Sequence, residues 1–226
     1  KIRAFSSLQL SEGNDELILD EDESHHLGKV LRVKVGSVVE VLDGMGTFAD
    51  AEIAQLDRRA TQVKILGRKS LPVPNPFFRI ALAMTKTNRW EEMIRPLTEM
   101  GVGRITPLLT ERTEAKISSE KELSKLAKWR KLAIEACKQS GNPWLPIIDH
   151  PIGLSELLQE KESDRFMASL RAQSVKPLLE NNRKAERVLL IIGPEGGWTV
   201  AEEDFALEHG VSLFSLGPNV LRTETA

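Results

Sequence analysis

The chain has 226 residues, of which 41% are hydrophobic and 28% are charged, so it can bury the core of one large domain or two modest ones. Its formal net charge of −2 and its pI of about 6.2 lack the basic character that marks many nucleic-acid-binding proteins. A single cysteine, Cys137, excludes an internal disulfide and indicates a reducing compartment. No apolar run approaches the roughly 20 residues of a membrane span, and residues 1–4 do not begin a signal peptide. We therefore expect a cytoplasmic protein.

Short strands dominate the first third of the sequence. The runs that predict strands lie at residues 38–42, 48–56 and 61–66. One helix is expected over residues 22–33, with Leu27, Val30 and Leu31 on one face. This pattern predicts a small β-rich domain, a barrel, over residues 1–70.

Three alternating prolines make residues 71–76 an extended connector between two domains. Beyond it, strand patterns lie at residues 78–84, 104–109, 165–170, 188–192 and 211–216. Helical patterns lie at residues 90–100, 124–140 and 202–209. This alternation predicts a parallel sheet covered by helices over residues 77–226, and therefore an α/β fold class.

A glycine-rich turn follows the most apolar of these strands. Residues 193–197 read Gly-Pro-Glu-Gly-Gly, and Thr199 with Glu202 forms a capping box that begins a helix. The turn is not a Walker loop, because Trp198 stands where a lysine is needed, and its spacing is not that of a dinucleotide fingerprint. Its glutamate and the acidic helix start disfavour a phosphate. These residues alone leave two readings open: a structural turn, or a site for a neutral or cationic ligand.

A second Gly-Pro turn, Gly217-Pro218, follows the last predicted strand. Two such turns after parallel strands meet at the carboxyl edge of the sheet, where ligands bind in open α/β folds. Thr223 is a suitable N-cap with Glu224 in the first turn, so we expect a helix to begin there. Because the sequence stops at Ala226, we expect the natural protein to continue.

The two turns together resemble the signature loops of the RsmE-type SPOUT methyltransferases. The matching stretches are Ile-Gly-Pro-Glu-Gly-Gly (192–197) and Leu-Gly-Pro-Asn-Val-Leu-Arg-Thr-Glu-Thr-Ala (216–226). Residues 25–32, 97–102, 107–113 and 133–141 are also similar to the family, so that the resemblance runs in order through nearly the whole chain. It implies methylation of N3 of one uridine in small-subunit (16S) ribosomal RNA, with S-adenosylmethionine as the cofactor.

The resemblance also implies a fold and partners. The expected architecture is a PUA-like β-barrel followed by a SPOUT domain whose parallel sheet carries a trefoil knot. The implied assembly is a homodimer that acts on ribosomal RNA or on the assembled small subunit, without a metal ion. Asn219 departs from the arginine usual in the family's loop, which removes one possible contact to RNA or cofactor.

By this resemblance the cofactor lies against backbone groups and apolar side chains of the loops. S-adenosylmethionine carries a sulfonium cation and no phosphate, which is compatible with a glutamate inside the glycine turn. The implied cofactor-binding residues are Leu170, Gly193, Pro194, Gly196, Gly197, Leu216, Gly217, Leu221 and Thr223.

Arg222 and Glu195 are the implied catalytic residues. Uracil N3 is a poor nucleophile until its proton leaves, so a cation that stabilises the developing uridinate accelerates the transfer. Arg222 is predicted to supply that cation; a salt bridge to Glu195 or Glu224 is the alternative. Whether Glu195 accepts the N3 proton or orients Arg222 stays open.

A basic run is predicted to contact RNA. It comprises Lys116, Lys121, Lys125, Lys128, Arg130, Lys131 and Lys138, although a solvated helix face explains such a run equally well. The implied RNA-binding residues are Arg32, Arg112, Lys128, Arg130 and Lys131. For Arg112, which follows the strand ending at Leu109, the active site is the alternative position. His25 and His26 have no metal-ligand spacing to the other histidines, so no metal site is expected.

Two alternative functions remain at this point. One is a SPOUT ribose 2'-O-methyltransferase acting on transfer or ribosomal RNA. The other is a non-catalytic RNA-binding or ribosome-assembly protein, which the intact signature loops disfavour.

Overall fold

The structure is a computed structural model that describes residues 1–10, 15–85, 89–113, 119–160, 164–172, 174–175 and 185–226. The chain divides into two compact units. The first comprises Lys1–Val73 and Ala133–Leu145, and the second comprises Pro74–Leu132 and Pro146–Ala226. The predicted domains, 1–70 and 77–226 with a linker at 71–76, differ from this division mainly by the segment 133–145, and as limits of independently folding domains they remain a prediction.

The first unit is built on one curled sheet. Its strands are β1 (Arg3–Phe5), β2 (Glu16–Ile18), β3 (Val38–Leu42), β4 (Thr47–Gln55) and β5 (Gln62–Ser70). They lie in the order β1-β3-β4-β5-β2, antiparallel except for the parallel pair β1–β3. Alternate residues of β4 are buried, among them Ala51 and Ile53, which are fully enclosed. The inward face of the sheet therefore forms the core of this unit.

The prediction of one helix over residues 22–33 is wrong in its second half. An α-helix, α1 (Glu21–His25), continues as a π-helical turn, His26–Val30. Leu27 is fully buried, whereas Val30 and Leu31 are exposed rather than lying on the same face. The wider π turn shifts the phase of the apolar pattern, and Gly28 within it weakens the α-helical alternative.

The end of the long helix α3 (Ser119–Ser140) contributes a buried ion pair to the first unit. Lys138 Nζ lies 2.6 Å from Glu23 Oε1 and 2.8 Å from Glu135 Oε1. The side chain of Lys138 is only 7% exposed. The prediction that Lys138 belongs to a basic run facing RNA is therefore wrong, because its charge is neutralised inside the protein.

The second unit is an α/β layer structure. Its strands are β6 (Phe77–Ala83), β7 (Arg104–Leu109), β8 (Ile147–Ile148), β9 (Ile152–Gly153), β10 (Asp164–Ala168), β11 (Arg187–Ile192) and β12 (Ser212–Phe214). Besides the first part of α3, the described residues of this unit form helices α2 (Arg89–Glu99), α4 (Leu154–Gln159) and α5 (Val200–Glu208). The strands pair in parallel in the order β12-β10-β11-β6-β7-β8, with β9 also on β7. The predicted fold class, an N-terminal PUA-like β unit followed by a parallel-sheet α/β unit, is confirmed.

A buried arginine stands near the start of β6. Arg79 Nε donates to Thr106 Oγ1 at 2.9 Å, and Arg79 Nη2 donates to Asp149 Oδ2 at 3.2 Å. The carboxylate of Glu160 pairs with the same guanidinium. This contact with Arg79 lowers the pKa of Glu160 below its usual value. The cluster satisfies a fully buried charge, as a buried guanidinium requires.

The order of the last three strands determines where their loops meet. Because β10 lies between β12 and β11, the chain that leaves β12 crosses the carboxyl end of β10 to reach the loop after β11. Two hydrogen bonds accompany this path: Ser215 N donates to Ser174 O, and Thr223 Oγ1 donates to Gly193 O, both at 3.0 Å. The trefoil knot implied by the family resemblance stays a prediction. No helix of the described segments is long and apolar enough to cross a membrane.

Candidate functional site

A cavity of about 410 Å³ opens at the carboxyl edge of the sheet in the second unit. Its walls come from the loops after β7, β10, β11 and β12 and from the start of α5. All the residues predicted to bind a cofactor line it: Leu170, Gly193, Pro194, Gly196, Gly197, Leu216, Gly217, Leu221 and Thr223. The structure thus brings together loops that are far apart in the sequence.

The glycine turn forms one wall of the cavity. Gly197 N donates to Pro194 O at 2.9 Å, and Gly197 has a φ of 67°, a left-handed conformation that favours glycine. A Cβ on Gly193 would lie 2.9 Å from Trp198 Cε2, so that only glycine fits beneath the indole ring. Trp198 Nε1 in turn donates to Ala168 O at 2.8 Å. The tryptophan therefore ties the turn after β11 to the end of β10.

The predicted capping box at the start of α5 is present in both directions. Thr199 N donates to Glu202 Oε2 at 2.9 Å, and Glu202 N donates to Thr199 Oγ1 at 3.2 Å. Glu202 Oε1 also accepts a hydrogen bond from Glu111 N at 2.9 Å. One buried carboxylate thus joins the helix start to the loop after β7.

Three residues that the sequence did not single out fix the loop after β10. Glu203 is buried, and its carboxylate accepts a hydrogen bond from Ser169 Oγ. Arg171 Nη1 lies 3.2 Å from Glu203 Oε2 and 2.8 Å from Asp204 Oδ1. The hydrogen bond to Asp204, followed by that to Glu203, raises the pKa of Arg171 above its usual value. Only the acidic helix start could have signalled this, because each partner is about 30 residues away in sequence.

Thr223 is not the N-cap that the sequence predicted. The final turn begins one residue earlier, since Thr225 N and Ala226 N both donate to Arg222 O, at 2.9 and 3.0 Å. Thr223 is buried, and its hydroxyl donates to Gly193 O. The hydroxyl therefore tethers the tail to the glycine turn, which lies too far away in sequence for a capping pattern to reveal.

The two predicted catalytic residues differ in their position relative to the cavity. Glu195 is exposed and lines the cavity. Arg222 follows the cavity-lining Leu221, but its own side chain is 74% exposed and is not part of the lining. Its Nη1 lies 3.9 Å from Glu224 Oε1, one of the two partners that the salt-bridge alternative named. The structure thus contains the alternative contact, and both catalytic roles stay predictions.

The predicted RNA-binding residues lie on several different elements. Arg112 lines the cavity and donates from Nη1 to Gly196 O at 2.7 Å. On α3, Lys128 pairs with Glu91, while Arg130 and Lys131 are exposed. Arg32 is exposed in the first unit and has a φ of 52°, and Lys116 lies outside the described residues.

Neither a metal site nor a reactive thiol is seen in the described part of the chain. It contains no group of three or more His, Cys, Asp or Glu side chains arranged to hold a metal ion. Burial raises the pKa of the Cys137 thiol to about 12, so this thiol is protonated at neutral pH.

Comparison with known proteins agrees with this geometry. A family model described as RNA methyltransferase domain matches residues 73–226, and one described as RNA methyltransferase PUA domain matches residues 19–66. The chain is 33% identical over 209 residues to a ribosomal RNA small subunit methyltransferase E from Synechocystis, covering 89% of this chain and 67% of that protein. The same enzyme from Aquifex aeolicus is 30% identical over 211 residues, covering 93% and 90%.

A solved structure extends the similarity to the whole fold. A ribosomal RNA small subunit methyltransferase E from Neisseria gonorrhoeae, bound to S-adenosyl methionine, superposes with a TM-score of 0.88 at 29% identity. The match covers 100% of this chain and 93% of that one. The resemblance inferred from the two signature loops is confirmed. On this evidence the chain belongs to the ribosomal RNA small subunit methyltransferase E (RsmE) family.

Proposed function

We propose that this protein is an S-adenosylmethionine-dependent methyltransferase that modifies N3 of a specific uridine in 16S ribosomal RNA. The observation that carries the proposal is the cavity at the ends of β10, β11 and β12, in a chain whose relative from Neisseria gonorrhoeae is bound to S-adenosyl methionine. The RNA class comes from the names of the relatives. The N3 position comes from the resemblance of the two signature loops to the RsmE type.

The lining of the cavity fits this cofactor. Its volume lies within the roughly 300–1,000 Å³ typical of small-molecule sites. Leu170, Leu216 and Leu221 offer apolar surface for adenine, and the peptide groups of Gly193 and Gly217 can meet its polar edge. Two carboxylates also line the cavity: that of Glu203 is paired with Arg171, whereas that of Glu195 is exposed and favours a cation over a phosphate.

S-adenosylmethionine supplies the methyl group on a positively charged sulfur. The residues of this chain must bring uracil N3 into line with that carbon and remove its proton. We assign Arg222, at the cavity edge, to the negative charge that develops on O2 or O4 of the base. Glu195 accepts the N3 proton or orients Arg222. The target base must be splayed from its neighbours to reach a cavity of this kind.

The remaining partners belong to the same proposal. Arg32, Lys128, Arg130 and Lys131 are proposed to contact the phosphate backbone of ribosomal RNA, either free or in an assembled small subunit. The active form is proposed to be a homodimer, as the family resemblance implies. A ribosomal RNA substrate also supports a cytoplasmic location, which we include in the proposal.

Isothermal titration calorimetry with S-adenosylmethionine tests the cofactor assignment. We expect one site per chain for S-adenosylmethionine and for its demethylated product, and no heat with ATP. The Gly217→Val variant is the matched loss-of-site control, because Gly217 lines the cavity at a φ of 140° that only glycine adopts without strain. Binding of ATP without binding of S-adenosylmethionine contradicts the proposal.

A further inference from the structure

We infer that Arg112 is a positioning residue for the cofactor loop: it holds the Gly196–Gly197 peptide in place, so that the glycine turn is already formed when the cofactor arrives. The inference rests on the proposed function and adds to it a residue from the loop after β7. The sequence leaves two positions open for this arginine, one facing the RNA and one facing the active site. The structure places it against the cofactor cavity.

The peptide between Gly196 and Gly197 is held at both of its polar groups. Its N–H, that of Gly197, donates to Pro194 O at 2.9 Å, which closes the turn. Its carbonyl oxygen, that of Gly196, accepts a hydrogen bond from Arg112 Nη1 at 2.7 Å. The first contact lies within the turn itself, whereas the second comes from a residue 84 positions away.

A peptide flanked by two glycines needs such a restraint. Glycine has the widest choice of backbone conformations and loses the most conformational entropy when it is fixed. Gly197 is also left-handed, with a φ of 67°. Without an outside partner for the carbonyl, the plane of this peptide can rotate, and the wall of the cavity changes with it. A donor that fixes the carbonyl removes this freedom before binding.

The loop that carries Arg112 is itself held by hydrogen bonds. Thr110 N donates to Thr113 Oγ1 at 3.0 Å, and the two threonine hydroxyls lie 2.9 Å apart. The neighbouring Glu111 N donates to the buried carboxylate of Glu202. Consecutive residues of one turn thus hold both the glycine turn and the helix start that follows it.

The side chain of Arg112 also packs against the turn. Its Cβ and Cδ lie 3.4 and 3.5 Å from the position that a Cβ on Gly196 would take. That position is open to alanine, because the distances are ordinary contacts and Gly196 does not have a positive φ. An alanine at 196 would restrict the same backbone that Arg112 restrains. The two residues can therefore be tested against each other.

The experiment measures cofactor and RNA binding separately on four variants: Arg112→Ala, Arg112→Lys, the double variant Arg112→Ala/Gly196→Ala, and Arg95→Ala. The last removes an exposed arginine from α2 as the charge control. Calorimetry gives the Kd for S-adenosylmethionine, and steady-state methyl transfer gives the KM for RNA and kcat at saturating cofactor. A binding-competent turn populated only about one tenth of the time raises the apparent Kd about tenfold.

We expect Arg112→Ala to raise the cofactor Kd about tenfold while the KM for RNA and the saturated kcat stay within about twofold. Arg112→Lys should recover most of the affinity, since one donor suffices for one carbonyl, and the double variant should recover part. Arg95→Ala should match the wild type. An unchanged cofactor Kd with a raised KM for RNA overturns the inference, as does an Arg112→Lys variant as weak as Arg112→Ala. If the wild type itself does not bind S-adenosylmethionine, the proposed function fails first.

Discussion

Thr223 Oγ1 donates a hydrogen bond to the carbonyl oxygen of Gly193, at 3.0 Å, between segments that are 30 residues apart. Gly193 follows β11 and Thr223 lies beyond β12, yet these strands are not neighbours, because β10 lies between them. The hydrogen bond therefore bridges the end of the intervening strand. It closes one side of the cavity and makes the C-terminal turn part of the wall.

Thr223→Val tests this tether with almost no change in volume. The substitution removes the hydroxyl that donates to the Gly193 carbonyl, and Thr223, which carries this hydroxyl, is only 5% exposed. We expect the free energy of unfolding to fall by about 1 kcal/mol, because a partly buried hydrogen bond is lost, and the affinity for S-adenosylmethionine to fall with it. Chemical denaturation and calorimetry measure the two effects. Thr225→Val, at an exposed position of the same turn, is the control and should leave both unchanged.

Arg222→Ala is expected to lower turnover about a hundredfold, the scale on which one oriented donor to a developing charge acts. The affinity for S-adenosylmethionine should change little, since the cavity lining excludes this side chain. Arg222→Lys should restore only part of the rate, because lysine lacks the planar fork. Arg89→Ala, which removes the other arginine near Glu224, is the control. A parallel loss of turnover, cofactor affinity and melting temperature in Arg222→Ala would show a structural role instead.

Much of the local chemistry of the site follows from the sequence. The strand that ends at Ile192 and the capping box of Thr199 with Glu202 need only residues that are neighbours along the chain. Two other contacts, from Glu111 to Glu202 and from Ser169 to Glu203, cannot be predicted in this way, because they join residues 91 and 34 positions apart. No periodic pattern encodes such pairs. They become visible only when the strand order is known.

Each feature that the sequence patterns missed or misassigned has its own physical cause. Strands β8 and β9 have two residues each, too few for an alternating pattern. The π turn after α1 breaks the period on which the helix prediction relied. Lys138 resembles the other lysines of α3 by type, and only its ion pair with Glu23 shows that it is buried.

The ion pair of Lys138 with Glu23 is expected to matter for stability. Lys138→Met leaves the Glu23 carboxylate, 8% exposed, without its closest cation. Removing one member of a buried pair costs about 3–5 kcal/mol, measured as the free energy of unfolding in urea. The double variant Glu23→Gln/Lys138→Met should recover part of this loss. Lys34→Met, at an exposed lysine, should change stability by less than about 0.5 kcal/mol. Equal stabilities of Lys138→Met and Lys34→Met would contradict the account.

Glu160 is expected to make the protein sensitive to acid. Its hydrogen bond with Arg79 lowers the pKa of Glu160 in the folded state below the ordinary value of 4.5. A carboxyl group with a lowered pKa contributes stability above its unfolded pKa, and this contribution is lost as the pH falls through the folded pKa. Thermal unfolding between about pH 6 and pH 3 should therefore show a shallower acid loss for Glu160→Gln than for the wild type. Glu156→Gln, at an exposed position of α4, should keep the slope of the wild type; an identical slope for Glu160→Gln would count against the ion pair.

The identity of the methylated nucleoside decides whether this protein methylates uracil N3. Purified protein, S-adenosylmethionine carrying a labelled methyl group, and 16S ribosomal RNA or small subunits lacking the modification are incubated, and the RNA is digested to nucleosides for mass spectrometry. We expect the label to appear in 3-methyluridine, and we expect Arg222→Ala to reduce its yield greatly. Label in a 2'-O-methylated nucleoside would indicate ribose methylation instead, and RNA binding without any labelled nucleoside would indicate a non-catalytic protein; either result would contradict the account.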